Sequence, residues 1–258
     1  MNETTHSTTR RVIDYWRQPE REPASSLGRA GPHLWVMGPA SGPRLERDPQ
    51  LGAAGIRQEI VRSERERGQW LRDRALRSVL SGQDRELTFT VDARGRPRLD
   101  GAGKTAPIID FNVTRAEGAV GVAVVVNGQI GIDLERRRPV AAGRLRRAFS
   151  AAEWAAIDAA EDVDTELLQI WARKEALLKA IGIGLRWPLP EVLDGAVARA
   201  DGTLDVRPVA ELDPKRRLWS VYTLDPISGY VGAFAVASAT PGLKPPILHI
   251  VDPSLAPS

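Results

Sequence analysis

Two carboxylates that share one face of a predicted strand are the first residues in this sequence that could do chemistry. The segment 130–135 alternates polar and apolar positions, so Asp133 and Glu135 leave the same side and their neighbours face a core. Two negative charges at this spacing repel and are stabilised by a cation between them. Oxygen ligands without sulfur or imidazole favour Mg²⁺, with Mn²⁺ as the alternative. Taken alone, a solvated acidic edge beside Arg136–Arg138 is the more frequent explanation of so short a motif.

A second pair of charged residues lies on a long predicted helix over residues 165–181. Glu175 and Lys179 are four residues apart, so their side chains meet on one helix face. The simplest alternative is a surface salt bridge contributing about 0.3–0.5 kcal/mol. Trp171 and Leu178 on the same helix indicate that it is half-buried, which weakens that alternative.

The residue types that are scarce exclude several kinds of chemistry. The chain has no cysteine, which removes disulfides, thiolate nucleophiles and cysteine-ligated zinc. It has only three histidines: His6 lies in a polar tail, and His33 and His249 are far apart in sequence with no acidic or serine motif nearby. Carboxylates, lysines, arginines and a hard metal ion remain as the means of catalysis.

Composition and charge set the class of protein and the kind of partner. Of 258 residues, 42% are hydrophobic and 27% charged, which is typical of a protein with a real core. A sequence pI near 9.5 favours anionic partners, either phosphates or acidic proteins, although a solvated arginine-rich surface explains it equally. No apolar run reaches membrane-spanning length and the N-terminus lacks the apolar core of a signal peptide, so we expect a cytoplasmic protein without a membrane partner.

Helices mixed with antiparallel hairpins predict the α+β class. Residues 1–30 and 241–258 are read as loose tails because they hold few apolar residues or many prolines. Asn127-Gly128 predicts a hairpin between its two flanking strands. The predicted strands are 33–37, 87–91, 108–113, 120–126, 130–135, 218–224 and 230–237; the predicted helices are 63–81 (N-cap Ser63 with Glu66), 151–159 (N-cap Ser150 with Glu153) and 165–181, ending at Gly182.

Read together, the two charged motifs resemble the signature pair of the 4′-phosphopantetheinyl transferase superfamily. The family pattern is G-x-D-x-E followed by W-x-x-K-E-[AS]-x-x-K, and Gly131–Glu135 and Trp171–Lys179 fill every fixed position. Phe149-Ser150 with Glu153 is similar to the F-S-x-x-E element of the family. Either motif alone is a weak signal, whereas the ordered pair is specific.

Upstream segments carry the resemblance further, with an arginine in place of lysine in the first segment and two departures in the second. Gly95–Leu99 resembles the family's G-K-P-x-[LF] turn with Arg96 in place of lysine. Phe111–Arg115 resembles its F-N-[LIV]-S-H strand, but Thr114 and Arg115 stand where serine and histidine are usual. Arginine also contacts phosphate, so this implies changed contacts to the substrate rather than lost activity.

The resemblance is to the Sfp type, which implies two pseudo-symmetric α/β subdomains in one chain, here 31–128 and 129–240, with the active site between them. It implies a monomer whose substrates are coenzyme A and an acyl or peptidyl carrier protein. The implied metal ligands are Asp133, Glu135 and Glu175. Glu175, or a water that it orients, is the implied base for the carrier serine, and Lys179 is implied to stabilise or protonate the departing 3′,5′-ADP. The candidates for the coenzyme A phosphates are Arg77, Arg96, Thr114, Arg115 and Lys179.

Three other functions compete with this one. The same carboxylates suit another magnesium-dependent phosphohydrolase or nucleotidyl transferase, although no G-x-x-x-x-G-K-[ST] loop is present. The arginines between Arg57 and Arg77 suit a nucleic-acid-binding module, but only Trp70 lies among them and no such motif is matched, so no nucleic-acid partner is expected. A catalytically altered family member acting as a binding protein is the third.

Overall fold

Two β-sheets lie back to back, and each has one long helix on its outer face. The computed structural model describes residues 31–39, 53–80, 86–93, 95–100, 108–238 and 246–256. The strands are β1 His33–Met37, β2 Phe89–Val91, β3 Pro97–Leu99, β4 Ile109–Ala116, β5 Ala119–Val126, β6 Gly128–Arg136, β7 Val197–Ala198, β8 Leu204–Val206, β9 Trp219–Leu224, β10 Tyr230–Ser238 and β11 Ile247–Val251. The helices are α1 Ala53–Val79, α2 Ala142–Leu145, α3 Ala151–Ala159 and α4 Val163–Ile181, with 3₁₀ turns at Arg146–Ala148, Gly184–Arg186, Leu189–Glu191 and Pro253–Leu255.

The order of the strands follows from these layers. The first sheet has the order β11-β1-β5-β4, the second β6-β10-β9-β8-β7, and β2 and β3 form a separate ribbon. Alternate residues of β5 face opposite ways: Val122 and Val124 pack under α1, while Ala123 and Val125 pack against the second sheet. On the far side, α4 lies on β10 and β9 through small side chains. The α+β class expected from the sequence is confirmed.

Helix α1 has the buried face that the sequence predicts, but it begins earlier in the chain than predicted. Leu71, Ala75, Leu76 and Val79 form its buried face as expected. The helix begins at Ala53 and not at Ser63, so Ser63 is an interior residue and not an N-cap. Serine costs little in a helix interior, so a capping pattern there does not stop the helix from extending.

The hairpin predicted at Asn127-Gly128 is wrong in its pairing. The chain does turn there, with Asn127 at a positive φ of 54°. However, β5 pairs with β1 and β4, whereas β6 pairs with β10, so the turn carries the chain from one sheet to the other. Side chains of β4 close the junction, since Asp110 and Asn112 accept hydrogen bonds of 2.8 and 3.0 Å from backbone N–H groups of β6.

The C-terminal segment 241–258 is not loose throughout. Ile247–Val251 forms β11, which pairs in parallel with β1 at the edge of the first sheet. The expectation of a loose N-terminal tail falls on residues 1–30, which lie outside the described residues. The division at 128 coincides with the change of sheet, while the pseudo-symmetry of the two halves stays a prediction. No helix in the described ranges is long and apolar enough to cross a membrane.

Candidate active site

A glycine sets the distance between β6 and α4, the two elements that carry the candidate catalytic residues. A Cβ atom at Gly131 would lie 2.2 Å from the carbonyl oxygen of Ala176 and 2.5 Å from the backbone nitrogen of Ala180. No other residue fits there, because real Cβ contacts are longer. The close approach brings the next outward residue of β6, Asp133, beneath Lys179 on the helix.

Asp133 is a buried carboxylate with only one oxygen in use. Lys179 Nζ lies 2.5 Å from Asp133 Oδ1, and the hydroxyl of Thr114 donates to the same oxygen at 3.2 Å. The side chain is 7% exposed, and its Oδ2 has no hydrogen-bond partner among the described residues. Buried polar atoms without a hydrogen-bond partner are rare in proteins, so Asp133 Oδ2 is an acceptor that a bound ligand or ion could use.

The three acidic residues of the motifs influence one another electrostatically. Burial is the largest cause that raises the pKa of Asp133, Glu135 and Glu175 above their ordinary values. Repulsion adds to it: Glu175 raises the pKa of Asp133, Asp133 that of Glu135, and Glu135 that of Glu175. Two carboxylates from a strand and one from a helix therefore share one electrostatic environment.

Protein cations partly neutralise this environment. Besides the Lys179 contact, Arg138 Nη1 lies 3.0 Å from Glu135 Oε2. No three acidic or histidine side chains in the described ranges stand in an arrangement that would hold a metal ion without movement.

A buried lysine next to Glu175 fixes the helix. Lys174 is fully buried and donates from Nζ to Glu153 at 2.5 Å and to the backbone carbonyls of Ala148 and Leu189, both at 2.8 Å. Glu153 also accepts from the backbone of Ser150, in the capping box that the sequence predicted. The lysine of the second motif thus joins α4 to the start of α3, a structural role that sequence reasoning missed.

Arg96, predicted to contact phosphate, is instead tied to protein acceptors. Its two terminal nitrogens donate to Asp110 and to the carbonyl oxygens of Lys179, Ala180, Phe111 and Ile130. Its side chain is 7% exposed. These contacts occupy both terminal nitrogens and join β4, β6 and the end of α4, while the phosphate contact of Arg96 stays a prediction.

An arginine-lined cleft of roughly 220 Å³ opens between α1 and β4. Arg115 lies in it, together with Arg65 and Arg72 of α1, which the sequence reasoning did not name as phosphate ligands. Arg72 stands 3.8 Å from the ring centroid of Phe89 and pairs with Asp73. The signal for Arg72 was its position inside the apolar arc of the helix. Arg77 is exposed in the last turn of α1 and is not among the residues that line the cleft.

Comparison with known proteins places this geometry in a family. Residues 129–235 match the sequence profile of the 4′-phosphopantetheinyl transferase superfamily. The 4′-phosphopantetheinyl transferase HetI of Nostoc is 29% identical over 182 residues, which cover 67% of this chain and 71% of HetI. Sfp of Bacillus subtilis is 29% identical over 126 residues, 46% of this chain and 54% of Sfp. Residues 129–235 of this chain are therefore similar to the 4′-phosphopantetheinyl transferase superfamily.

Among solved structures, holo-[acyl-carrier-protein] synthase from Neisseria meningitidis aligns with a TM-score of 0.36 and 22% identity. The alignment covers 43% of this chain and 97% of the synthase. At that TM-score the likeness supports no functional argument.

The profile match divides the candidate site into two parts. It contains β6 and α4, and with them the three carboxylates and both lysines. It leaves out α1 and β4, which carry the arginine cleft and Thr114. The two departures from the family's motifs therefore lie outside the matched range.

Proposed function

We propose that this chain moves the 4′-phosphopantetheine arm of coenzyme A onto a serine of an apo acyl or peptidyl carrier protein, with Mg²⁺, and releases 3′,5′-ADP. The observation that supports this most is the cluster of three mutually repelling carboxylates around Asp133, whose buried Oδ2 has no partner in the described part of the chain. Lys179 lies 2.5 Å from Asp133, and Arg65, Arg72 and Arg115 line a separate cleft between α1 and β4.

The donor set suits a hard divalent cation. Asp133, Glu135 and Glu175 offer only oxygen, and burial together with repulsion makes the ionised cluster costly without a positive charge. These three residues would hold Mg²⁺, and the ion would neutralise the pyrophosphate as the phosphate bond breaks.

The chain's own residues then have distinct tasks. The carboxylate of Glu175 accepts the proton of the carrier serine hydroxyl, a task helped by its raised pKa. The serine oxygen forms the new bond to the β-phosphorus, and the bond to the oxygen of the departing 3′,5′-ADP breaks. The ammonium of Lys179 donates a hydrogen bond to that departing phosphate.

We propose that the phosphates of coenzyme A bind in the arginine cleft. One guanidinium group can donate two parallel hydrogen bonds to the oxygens of a phosphate. Arg65, Arg72 and Arg115 all line this cleft. Thr114 directly precedes Arg115 on β4, and its hydroxyl is the acceptor nearest Lys179 after Asp133, at 3.4 Å. Because both halves of one chain supply this set, we propose that the enzyme works as a monomer.

The carrier protein would meet the exposed basic loop after β6. Arg136 pairs with Glu117 and Arg138 with Glu135 at the surface. Exposed charges of this kind steer an acidic partner toward the site more than they hold it.

A mass measurement tests the reaction. Several apo acyl and peptidyl carriers are incubated with the protein, coenzyme A and Mg²⁺, and at least one should gain one phosphopantetheine arm with an equal yield of 3′,5′-ADP. Glu175→Gln should abolish the gain, whereas Glu161→Gln, at an exposed position, should not. No gain on any carrier would overturn the proposal, and release of 3′,5′-ADP without a carrier would favour a phosphohydrolase.

A further inference from the structure

Two of the three clustered carboxylates already hold a cation that the protein supplies. Lys179 Nζ is 2.5 Å from Asp133 Oδ1, and Arg138 Nη1 is 3.0 Å from Glu135 Oε2. In both pairs the cation is the more exposed partner. The side chain of Lys179 is 29% exposed and that of Asp133 7%, while Arg138 is 45% exposed and Glu135 20%. The cation can therefore move into water at a lower desolvation cost than its carboxylate can.

These contacts give a physical reason why the described residues hold no preformed metal cage. A divalent ion that approaches Asp133 finds Oδ1 taken by Lys179 and Thr114, and only Oδ2 open. At Glu135 it competes with a guanidinium for Oε2. An ion that binds both carboxylates must replace two charged contacts that already stabilise them.

We infer that Lys179 and Arg138 are resident counter-ions of the cluster, which a divalent ion must displace. Three carboxylates and two cations leave a net charge of about −1, too little to attract a divalent ion strongly. A substrate that brings phosphate groups changes this balance, because it adds negative charge and offers Lys179 new acceptors. Metal binding is thereby coupled to the presence of coenzyme A, and reciprocally. This inference rests on the proposed function, since it takes Asp133 and Glu135 as metal ligands.

The test measures metal binding directly with Mn²⁺ as the probe, following the signal of the free ion by electron paramagnetic resonance. In the absence of coenzyme A, Lys179→Met should bind Mn²⁺ more tightly than the wild type, on the order of tenfold, because its competitor is gone from a carboxylate that water hardly reaches. Arg138→Ala should gain roughly two- to fivefold, as expected for an exposed pair. Coenzyme A should raise the Mn²⁺ affinity of the wild type more than that of Lys179→Met.

Arg136→Ala is the matched control for the long-range effect of charge. Arg136 is the last residue of β6, two positions before Arg138, and Arg136→Ala removes the same charge, but the partner of Arg136 is Glu117, outside the cluster. Its Mn²⁺ affinity should stay at the wild-type value. Thermal melting shows whether each variant is folded, and if Lys179→Met is not, the comparison of Arg138→Ala with Arg136→Ala decides.

Equal or weaker Mn²⁺ binding by the folded Lys179→Met and Arg138→Ala variants overturns the counter-ion role, even if the wild type transfers phosphopantetheine normally. If the proposed function itself is wrong, the experiments give a different set of results. In that case neither the wild type nor the variants bind Mn²⁺ with coenzyme A present, no carrier gains mass, and the inference falls with it.

Discussion

Two lysines of α4 each hold a carboxylate at 2.5 Å, yet their surroundings differ completely. Lys174 is fully buried and donates to Glu153 and to two backbone carbonyls, so each of its protons has an acceptor. Lys179 is 29% exposed and donates to two described acceptors, Asp133 and Thr114. Each pair keeps one buried carboxylate oxygen without a hydrogen-bond partner among the described residues, Asp133 Oδ2 and Glu153 Oε1, so the two pairs differ in the lysine. We call the buried pair, in which every lysine proton has an acceptor, saturated, and the part-exposed pair unsaturated, because its lysine can exchange its partner. The same helix therefore serves both as a support and as part of the site.

The largest effect should come from breaking the saturated pair. Lys174→Met leaves Glu153 and two carbonyls without their donor, which should lower the free energy of unfolding by about 3–5 kcal/mol. Urea denaturation measures this, with Lys179→Met as the control that removes the other lysine. Equal losses in the two variants would contradict the distinction between the two pairs.

The unsaturated pair should matter for activity and not for stability. Asp133→Asn keeps the shape but removes the charge, so carrier modification should fall by at least roughly a hundredfold. Burial raises the pKa of Asp133, so ionisation at neutral pH costs folding energy, and the melting temperature should hold or rise. Asp205→Asn is the control, because Asp205 pairs with Arg199 at 2.7 Å away from the motifs. A variant that melts lower but transfers normally would refute the assignment.

The contact between β6 and α4 can be changed without touching either lysine. Gly131→Ala places a methyl group against the backbone of Ala176 and Ala180, which should cost about 1–3 kcal/mol of stability as the helix shifts. Transfer should fall too, because Lys179 moves away from Asp133. Gly143→Ala, where a Cβ meets nothing within 4 Å, should keep or slightly raise stability in chemical denaturation, because alanine favours a helix more than glycine does.

Asp213 is a buried acid whose pKa is shifted in the opposite direction to that of Asp133, and its replacement should have a smaller effect than that of Lys174. Burial alone would raise the pKa of Asp213, but bonds from Arg217 and Trp219 outweigh it and hold the pKa at about 2. Its stabilisation, about 2 kcal/mol, is present above pH ~4 and is lost as the pH falls through about 2. Denaturation of Asp213→Asn across this range should show a difference from the wild type that vanishes in acid. A constant difference would mean that the charge of Asp213 is not its source.

Local sequence signals predicted local structure well. The capping box of α3, the left-handed Gly182 after α4 and the hairpin of β9 and β10 each depend on residues within a few positions of one another. The shared face of Asp133 and Glu135 follows from strand geometry alone.

Distant contacts explain what the sequence could not predict. Asn127-Gly128 specifies a turn, but the partner of β6 is β10, which comes far later in the chain. Arginine is abundant, and only the tertiary contacts show that Arg96 reaches the carbonyl of Lys179 while Arg72 and Arg65 line a cleft. The direction of a long side chain depends on packing and not on its neighbours in sequence.

The parallel pairing of β11 with β1 has a consequence for how the protein is made. During translation β1 emerges from the ribosome before any other described strand, and β11 emerges after all of them. The edge of β1 that pairs with β11 therefore stays unpaired until β11 has been synthesised. An unpaired strand edge can pair with strands of other chains. We therefore expect the nascent chain to remain prone to aggregation through this edge until Ile247–Val251 has been synthesised.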